Sequence, residues 1–172
     1  MALTKFNNLT TLTRTRTGIN LIEADVLIAK GEESANPFTL ASLSALTAYL
    51  ANMETLGINA KDSPQTKTED ITEEYDYETE STGVKHSGDI MLKKVNADLI
   101  DFIDTDLKNV VVSVMIIPKD RTGIGLLISG IKLTVKTDGK ANTDTSSTVT
   151  LSYSRRAETI GEVLKYFNIP TT

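Results

Sequence analysis

The feature that most constrains this fold is a run of eight residues, Val110–Ile117 (VVVSVMII), in which apolar side chains occupy both alternating sets of positions. Asn109 precedes the run and Pro118 ends it. Since successive side chains of a strand point to opposite faces, a run that is apolar throughout is typical of a strand covered on both sides. The sequence therefore predicts a central buried strand with a layer of structure on each face.

Two other segments, residues 126–136 (LLISGIKLTVK) and 148–154 (TVTLSYS), alternate apolar and polar residues, as half-buried strands do. Residues 21–30 (LIEADVLIAK), a short apolar run closed by Gly31, and residues 89–94 (DIMLKK) are also predicted to be strands. The segment at residues 160–169 (IGEVLKYFNI) fits either a helical turn or a last edge strand. Because the gaps between the long strands are turn-sized, antiparallel pairing is favoured over a parallel βαβ arrangement.

Two segments have helical spacing. The first follows a candidate N-cap at Thr39 and ends before Gly57, and a second, short helix follows Asn96. The apolar face of the first helix consists of Leu40, Leu43, Leu46, Leu50 and Met53. The combined pattern predicts a mainly-β α+β fold: an antiparallel β-sandwich or small barrel with one flanking α-helix and a short second helix.

A chain of 172 residues fits one domain. Residues 1–20 are rich in Thr and Asn and contain basic residues, among them Arg14 and Arg16, but no acids. We therefore expect residues 1–20 to form an extended N-terminal arm and residues 21–172 to form a single β domain. No apolar run reaches the length of a membrane-spanning helix, and the N-terminus lacks the apolar core of a secretory signal.

Composition excludes several classes of chemistry. The absence of Cys removes disulfides, thiolate metal sites and cysteine nucleophiles, and a single His excludes any metal motif built on a pair of histidines. The formal net charge of −5 argues against a general nucleic-acid coat, which needs clustered Lys and Arg. No cofactor, metal site or catalytic residue is therefore predicted.

The strongest charge pattern is acidic: residues 69–80 contain seven carboxylates. We interpret this segment as one strand, which places Glu74, Asp76, Glu78 and Glu80 on a single face. The spacing does not match a calcium-binding loop. A solvated surface is one interpretation. Because four like charges on one face destabilise a monomer, an acidic wall facing water or nucleic acid is the other. A third option is contact with basic arms.

His86 is the only residue that suggests a hydrolase. It follows Gly83 and precedes Gly88, which predicts a turn region and a surface histidine. Ser81 and Ser87 are close in sequence, but a catalytic triad requires a nucleophile, a base and an orienting carboxylate in a defined geometry. An enzymatic role for His86 is therefore the weaker hypothesis.

The order of the segments resembles the tail-tube proteins of tailed bacteriophages, which are related to the tube proteins of contractile injection and secretion systems. The resemblance spans residues 20–160. It rests on a strand followed by a helix (LIEADVLIAK, LASLSALTAYLANM), an acidic extended segment (EDITEEYDYETES), a strand leading into a short helix (GDIMLKKVNADLIDFI), a buried strand (VVVSVMIIPK) and a closing pair, LISGIKLTVKTDG and SSTVTLSYSRRAE.

The resemblance implies a virion structural protein, assembled in the bacterial host cytoplasm, that stacks as rings, commonly hexameric, around a channel for DNA. Its partners would be copies of itself and other tail or connector proteins, with only transient passage of DNA and no membrane. Glu74, Asp76, Glu78 and Glu80 are then candidates to line the channel. The candidate contacts between subunits are Arg14, Arg16, Arg155 and Arg156.

Several alternatives stay open at this stage. The chain fits a head–tail connector or tail-terminator ring, or the tube protein of a secretion system. A carbohydrate- or cell-binding β-sandwich would need exposed aromatic residues, and the chain has no Trp and only 5% aromatic residues. A hydrolase centred on His86 is the remaining alternative.

Overall fold

The computed structural model of this protein describes residues 19–93, 97–136 and 148–172. Within these ranges the chain forms nine strands, two α-helices and a 3-10 turn at Ile160–Glu162. The elements are β1 (Asp25–Lys30), α1 (Leu43–Leu50), β2 (Glu54–Asn59), β3 (Gln65–Tyr75), β4 (Glu78–Lys93), α2 (Ala97–Thr105), β5 (Val112–Ile117), β6 (Ile124–Ile131), β7 (Thr134–Lys136), β8 (Thr148–Ala157) and β9 (Leu164–Asn168). Residues 1–18 of the predicted arm lie outside the described residues.

The strands form one antiparallel sheet in the order β7-β8-β4-β2-β1-β5-β6-β9, and β3 pairs with β4 beside this path. The predicted mainly-β α+β class is thus confirmed. Within the described ranges β7 and β9 do not pair with each other, so the sheet is open and the closure of a barrel is not observed. The sheet is nevertheless strongly curved. In the sheet order β8 and β6 are separated by β4, β2, β1 and β5, yet Arg155 on β8 donates a hydrogen bond of 2.9 Å to the carbonyl of Ser129 on β6.

The predicted central strand is confirmed as β5, in which all six side chains are buried. Val112, Val114 and Ile116 belong to the core that α2 covers. Met115 and Ile117 belong to the core on the other face, which α1 covers. Complete burial of one such side chain contributes about 1.5–3 kcal/mol to the stability of the fold. Because its side chains enter both cores, β5 connects the two cores through the sheet.

The first helix is shorter than the spacing predicts. It begins after Ser42, whose Oγ accepts a hydrogen bond from the backbone N–H of Ala45 at 3.2 Å, so Thr39 is not the cap. The chain then leaves the helix at Leu50 and forms β2, whose first residues the helical spacing had placed at the end of the helix. This segment forms a strand and not a helical turn because it pairs with a neighbouring strand: Ile58 of β2 lies opposite Asp25 of β1.

Two other segments differ in detail from the expectation. The predicted strand at residues 126–136 is divided into β6 and β7, with a break at residues 132–133. The segment at residues 160–169 contains both of the predicted alternatives, a 3-10 turn and the strand β9, which pairs with β6.

Candidate functional site

The most prominent surface feature is a long hairpin formed by β3 and β4. Pairing runs from Gln65 and Asp89 at its base to Tyr75 and Glu78 at its end. The connection is two residues long, and both of them have positive φ angles, 38° at Asp76 and 80° at Tyr77. This is the backbone pattern of the type I′ turn, whose twist matches that of the flanking strands.

We call residues 72–81 the hairpin tip. Every residue in this segment is exposed, so neither face of the tip is covered by the described part of the chain. The tip contains five carboxylates and no Lys or Arg. It also exposes two tyrosines: Tyr75 is 58% exposed, and Tyr77, at 106%, is as exposed as in an extended chain. The exposed tyrosines and the unbalanced carboxylates make the tip a candidate surface for contact with a partner.

The structure corrects the prediction that the acidic segment is a single strand. The chain reverses at Asp76 and Tyr77, so Asp76 lies in the turn. Paired residues of an antiparallel sheet share a face. Glu80 pairs with Glu73, and Glu74 pairs with Thr79, so Glu74 and Glu80 lie on opposite faces. Glu78, two residues before Glu80, lies on the face of Glu80.

This arrangement removes the geometric argument for one flat acidic wall made of Glu74, Asp76, Glu78 and Glu80. All four side chains are still exposed at the tip. A position facing a channel therefore stays a prediction, and it would apply to the tip as a whole. The sequence contains one clue to the reversal: Asp is among the residues that tolerate positive φ, whereas Tyr ordinarily does not.

The two candidate arginines on β8 differ sharply in environment. Arg155 points to the inner face of the curved sheet and binds Glu32 at 2.5 Å in addition to the carbonyl of Ser129. Arg156 is exposed on the outer face, directly opposite Lys85 of β4. Arg155 is thus occupied within the chain, while Arg156 is available to a partner. The other candidate contacts, Arg14 and Arg16, lie outside the described residues.

His86 is not the surface-loop residue that the sequence analysis predicts, and residues 83–88 are not a turn. His86 lies in the middle of β4 and is completely buried. Its Nδ1 atom is 2.9 Å from the hydroxyl of Thr68 on β3, and its Nε2 atom is 3.0 Å from the hydroxyl of Tyr153 on β8. The ring therefore links three neighbouring strands by side-chain hydrogen bonds.

Burial determines the ionisation of this cluster. Desolvation lowers the pKa of His86 below its ordinary range, so the ring is neutral at neutral pH. Burial also raises the pKa of the Tyr153 hydroxyl, with smaller contributions from Tyr166 and Asp89. A neutral imidazole donates from one nitrogen and accepts at the other, and each hydroxyl can do either, so the neutral ring is fully hydrogen-bonded.

This environment does not resemble a hydrolytic site. The groups that hold the His86 ring within the described residues are hydroxyls, and no carboxylate orients it. Ser87 follows His86 on the strand and therefore points to the opposite face, and Ser81 lies in the hairpin tip. The described ranges also contain no group of three His, Cys, Asp or Glu side chains that could hold a metal ion.

One cleft of about 490 Å³ lies between β1, β2, β5 and α2. Its apolar walls include Ile28, Phe102 and Val112, while Lys30 and Asp106 supply polar edges. Asn52 and Glu54 also line the cleft. We regard the hairpin tip as the better candidate for a functional surface, because its carboxylates and tyrosines project from the sheet and are exposed on both faces.

The fold and the site together define a class: a mainly-β α+β protein with an open, curved sheet and a projecting acidic hairpin. A scan against protein-family models gives no match, and a search of curated proteins gives none. None of the helices in the described ranges is long and apolar enough to cross a membrane.

Proposed function

We propose that this chain is a virion structural protein that assembles with copies of itself into rings, as a subunit of a phage tail tube or of a similar channel for DNA. The observation that carries the proposal is the open sheet. In the described part of the chain β3 has one neighbour, β4, and β9 has one neighbour, β6. Each of these strands therefore presents a free edge.

Free edges are a hazard for a monomer, because their unpaired N–H and C=O groups can pair with any other strand. Monomeric proteins usually keep edge strands short or interrupt them with Pro or bulges. β3 is eleven residues long, is exposed along nearly all its length, and contains no Pro. Its ladder with β4 has one irregularity, between Ile71 and Thr72. The rest of the strand is protected by charge, which excludes unspecific partners while it permits a complementary one.

The content of the interior supports an architectural role over a catalytic one. Both cores consist of aliphatic and aromatic side chains, and the buried His86 is held by hydroxyls on two other strands. These groups stabilise the relative positions of β3, β4 and β8. A rigid sheet base beneath a projecting hairpin suits a subunit whose joints must keep a fixed geometry.

In such a ring the acidic tip has two possible uses. Carboxylates that face a channel would repel DNA phosphates and limit adhesion during passage. Carboxylates at a joint would instead meet basic groups of a neighbouring copy. Ring number is a matter for measurement, and a hexamer is the expectation that the family resemblance supplies.

Negative-stain electron microscopy combined with sedimentation velocity of the purified full chain tests the proposal. Rings or tubes are expected as concentration rises. Long tubes would favour a tail-tube subunit, and a single closed ring would favour a head–tail connector or tail terminator. A chain that stays monomeric at every concentration would overturn the proposal.

A variant with a shortened hairpin tests whether the hairpin tip forms a joint between subunits. Replacing residues 73–80 with Asn-Gly would join Thr72 to Ser81, which already pair with each other, through a turn of the favoured type. Because the deleted segment is exposed on both faces, the shortened chain should keep its fold. Assembly should be lost. Unchanged assembly of the shortened chain would exclude the hairpin as a joint between subunits.

A further inference from the structure

The outer face of the sheet carries a group of basic residues beside the hairpin. β3, β4 and β8 are neighbours, and their register places Glu69, Lys85 and Arg156 in one row across the three strands. Lys67 lies two residues before Glu69 on the same face of β3. We call Lys67, Lys85 and Arg156 the basic face. All three residues are exposed.

The charges within the basic face are not balanced. Glu69 is the one carboxylate in the row and is bound by Lys67 at 2.6 Å. The hydrogen bond from Lys67, together with its charge, holds the pKa of Glu69 below its usual value, and Lys85 adds a weaker effect. Lys85 and Arg156 meanwhile lie directly opposite each other, an arrangement of like charges that destabilises a sheet. The nearest acid along β8 is Glu158, which lies two residues beyond Arg156, just past the end of the strand, and forms no ion pair with it.

The carboxylates of the hairpin tip are too far away to compensate. Glu73 is four residues beyond Glu69 on β3, a separation of about 13 Å at the usual rise of a strand. The residues of the turn are farther still. Surface charges at that separation are largely screened, because the Debye length is about 8 Å at physiological ionic strength. Within residues 19–93, 97–136 and 148–172, neither Lys85 nor Arg156 forms an ion pair with a carboxylate, so the basic face keeps an excess of positive charge.

We propose that the basic face of one copy receives the hairpin tip of a second copy. The two surfaces are complementary in charge: five carboxylates without a base on the tip, and three cations around one carboxylate on the face. The inference rests on the proposed function, since it names the joint through which copies would assemble.

Apolar groups reinforce the match. Ile71, which is half-buried, lies on the outer face beside Glu69. Its partner across the strands, Gly83, is buried, and a Cβ there would lie 2.7 Å from the carbonyl oxygen of Ala157, so β8 already fills this position. Tyr77 at the end of the tip presents a large ring that can pack on Ile71 while its neighbouring carboxylates meet Lys85 and Arg156. Aromatic residues with a polar end are enriched at interfaces of this kind.

The contact joins two different surfaces. When each copy gives its tip to one neighbour and receives the tip of another, the contact is head-to-tail, which generates closed rings when the rotation between copies closes and open helical filaments when it does not. A reciprocal exchange of tips between two copies would instead end at a symmetric dimer, so rings or tubes, and not a dimer as the largest species, are the expected assemblies.

Two charge-reversal variants test the joint. The face variant carries Lys85→Glu and Arg156→Glu, and the tip variant carries Glu74→Lys and Glu78→Lys. The matched control, Lys108→Glu with Lys119→Glu, makes the same charge change at exposed residues elsewhere. A neutral pair, Lys85→Gln with Arg156→Gln, separates loss of attraction from new repulsion with Glu69. Circular dichroism and thermal unfolding verify that each variant is folded.

The readout is the concentration of half-maximal assembly, measured by sedimentation velocity at low and high salt. The face variant and the tip variant should each need about tenfold more protein or greater, because several surface ion pairs are lost and replaced by repulsion. The control should stay within about twofold of the wild type. High salt should weaken wild-type assembly.

Mixing gives the decisive result. At a concentration at which neither variant assembles alone, each reversed surface meets a complementary one in an equimolar mixture, so assembly should recover. If the mixture does not assemble, or if the face variant assembles like the control, the proposed joint is wrong. The proposed function would still stand in that case, provided that the wild type assembles. A tip variant impaired beside a normal face variant would show that the tip contacts a different surface of the neighbouring copy and would likewise overturn this joint. A monomeric wild type would overturn both proposals.

Discussion

The Nε2 atom of His86 lies 3.0 Å from the hydroxyl oxygen of Tyr153, inside a sheet whose other polar side chains mostly face water. Thr68 completes the arrangement on the other side of the ring. The base of the hairpin is therefore joined to β8 by a buried polar contact as well as by the backbone ladder. Buried hydrogen-bonded groups of this kind are costly to leave unpaired, so the contact sets the relative position of three strands.

Acid should weaken the protein through His86. Its pKa is lowered in the folded state, so above pH of about 6.5 the ring is neutral in both states and contributes no pH dependence. Below that pH the unfolded chain binds a proton that the folded chain resists, and the free energy of unfolding falls until the folded-state pKa is reached. The slope from this one residue reaches at most about 1.4 kcal/mol per pH unit.

Urea unfolding from pH 8 to pH 5 measures this effect, and His86→Gln is its control. Gln keeps a donor and an acceptor and does not titrate, and the chain has no other His. Carboxylates contribute equally to both proteins. The stability advantage of the wild type over His86→Gln should therefore be constant above pH 7 and decrease below pH 6.5. A constant difference down to pH 5 would show that the ring titrates normally.

Tyr153→Phe should lower the free energy of unfolding by about 1–3 kcal/mol. The phenyl ring keeps the packing of the core, but the Nε2 atom of His86 loses the hydroxyl that it contacts in the described structure. Tyr166→Phe is the matched control, because Tyr166 is half exposed and its hydroxyl can bind water. Urea unfolding at pH 7.5 should show little change for Tyr166→Phe. Equal effects of the two substitutions would contradict the importance of the buried contact.

Sequence patterns could predict the frame of this fold but not its hairpin. The run VVVSVMII identified β5, because a strand covered on both faces needs apolar residues at every position. Alternation identified most of β8 for a similar reason. The hairpin was missed because its turn, Asp76-Tyr77, contains no Gly, and a Tyr with positive φ gives no local signal.

The environment of His86 and the basic face could not be predicted from local sequence, because both depend on the pairing of strands that are distant in the chain. His86 stands between two glycines, which indicated a loop, yet Gly88 is required by close approach: a Cβ there would lie 2.6 Å from the carbonyl oxygen of Gln65. The basic face joins Lys67, Lys85 and Arg156, which are far apart in sequence. Only the pairing of β3, β4 and β8 brings them into neighbouring positions, and no local pattern encodes that pairing.

The adjacent arginines should separate stability from assembly. Arg155→Ala should cost about 1–3 kcal/mol, because the side chain is mostly buried and its loss leaves the carbonyl of Ser129 and the carboxylate of Glu32 without this donor. Arg156→Ala should change the free energy of unfolding by less than about 0.5 kcal/mol, since it is exposed beside a like charge.

Urea unfolding of dilute protein measures the first effect and sedimentation velocity the second. Arg156→Ala should raise the concentration needed for assembly while leaving the monomer intact. Arg155→Ala, tested at a temperature where it is folded, should assemble at a concentration close to that of the wild type. The reverse pattern would place the contact between copies on the inner face of the sheet.

Glycine positions in the sheet offer a last test of the close packing around the His86 cluster. In Gly88→Ala the new methyl group would lie 2.6 Å from the backbone of Gln65 and 2.7 Å from the hydroxyl of Tyr153, so strands β3 and β4 or the tyrosine must move. Overpacking of this kind costs about 1–3 kcal/mol, and displacement of Tyr153 would also disturb its contact with His86.

In Gly57→Ala, the control, the nearest atom is 3.8 Å away, an ordinary contact, so stability should be unchanged or slightly higher. Urea unfolding compares the two variants, and the His86 ring resonances in NMR spectra should shift in Gly88→Ala alone; equal stability and unshifted resonances would contradict the close approach of β3, β4 and β8.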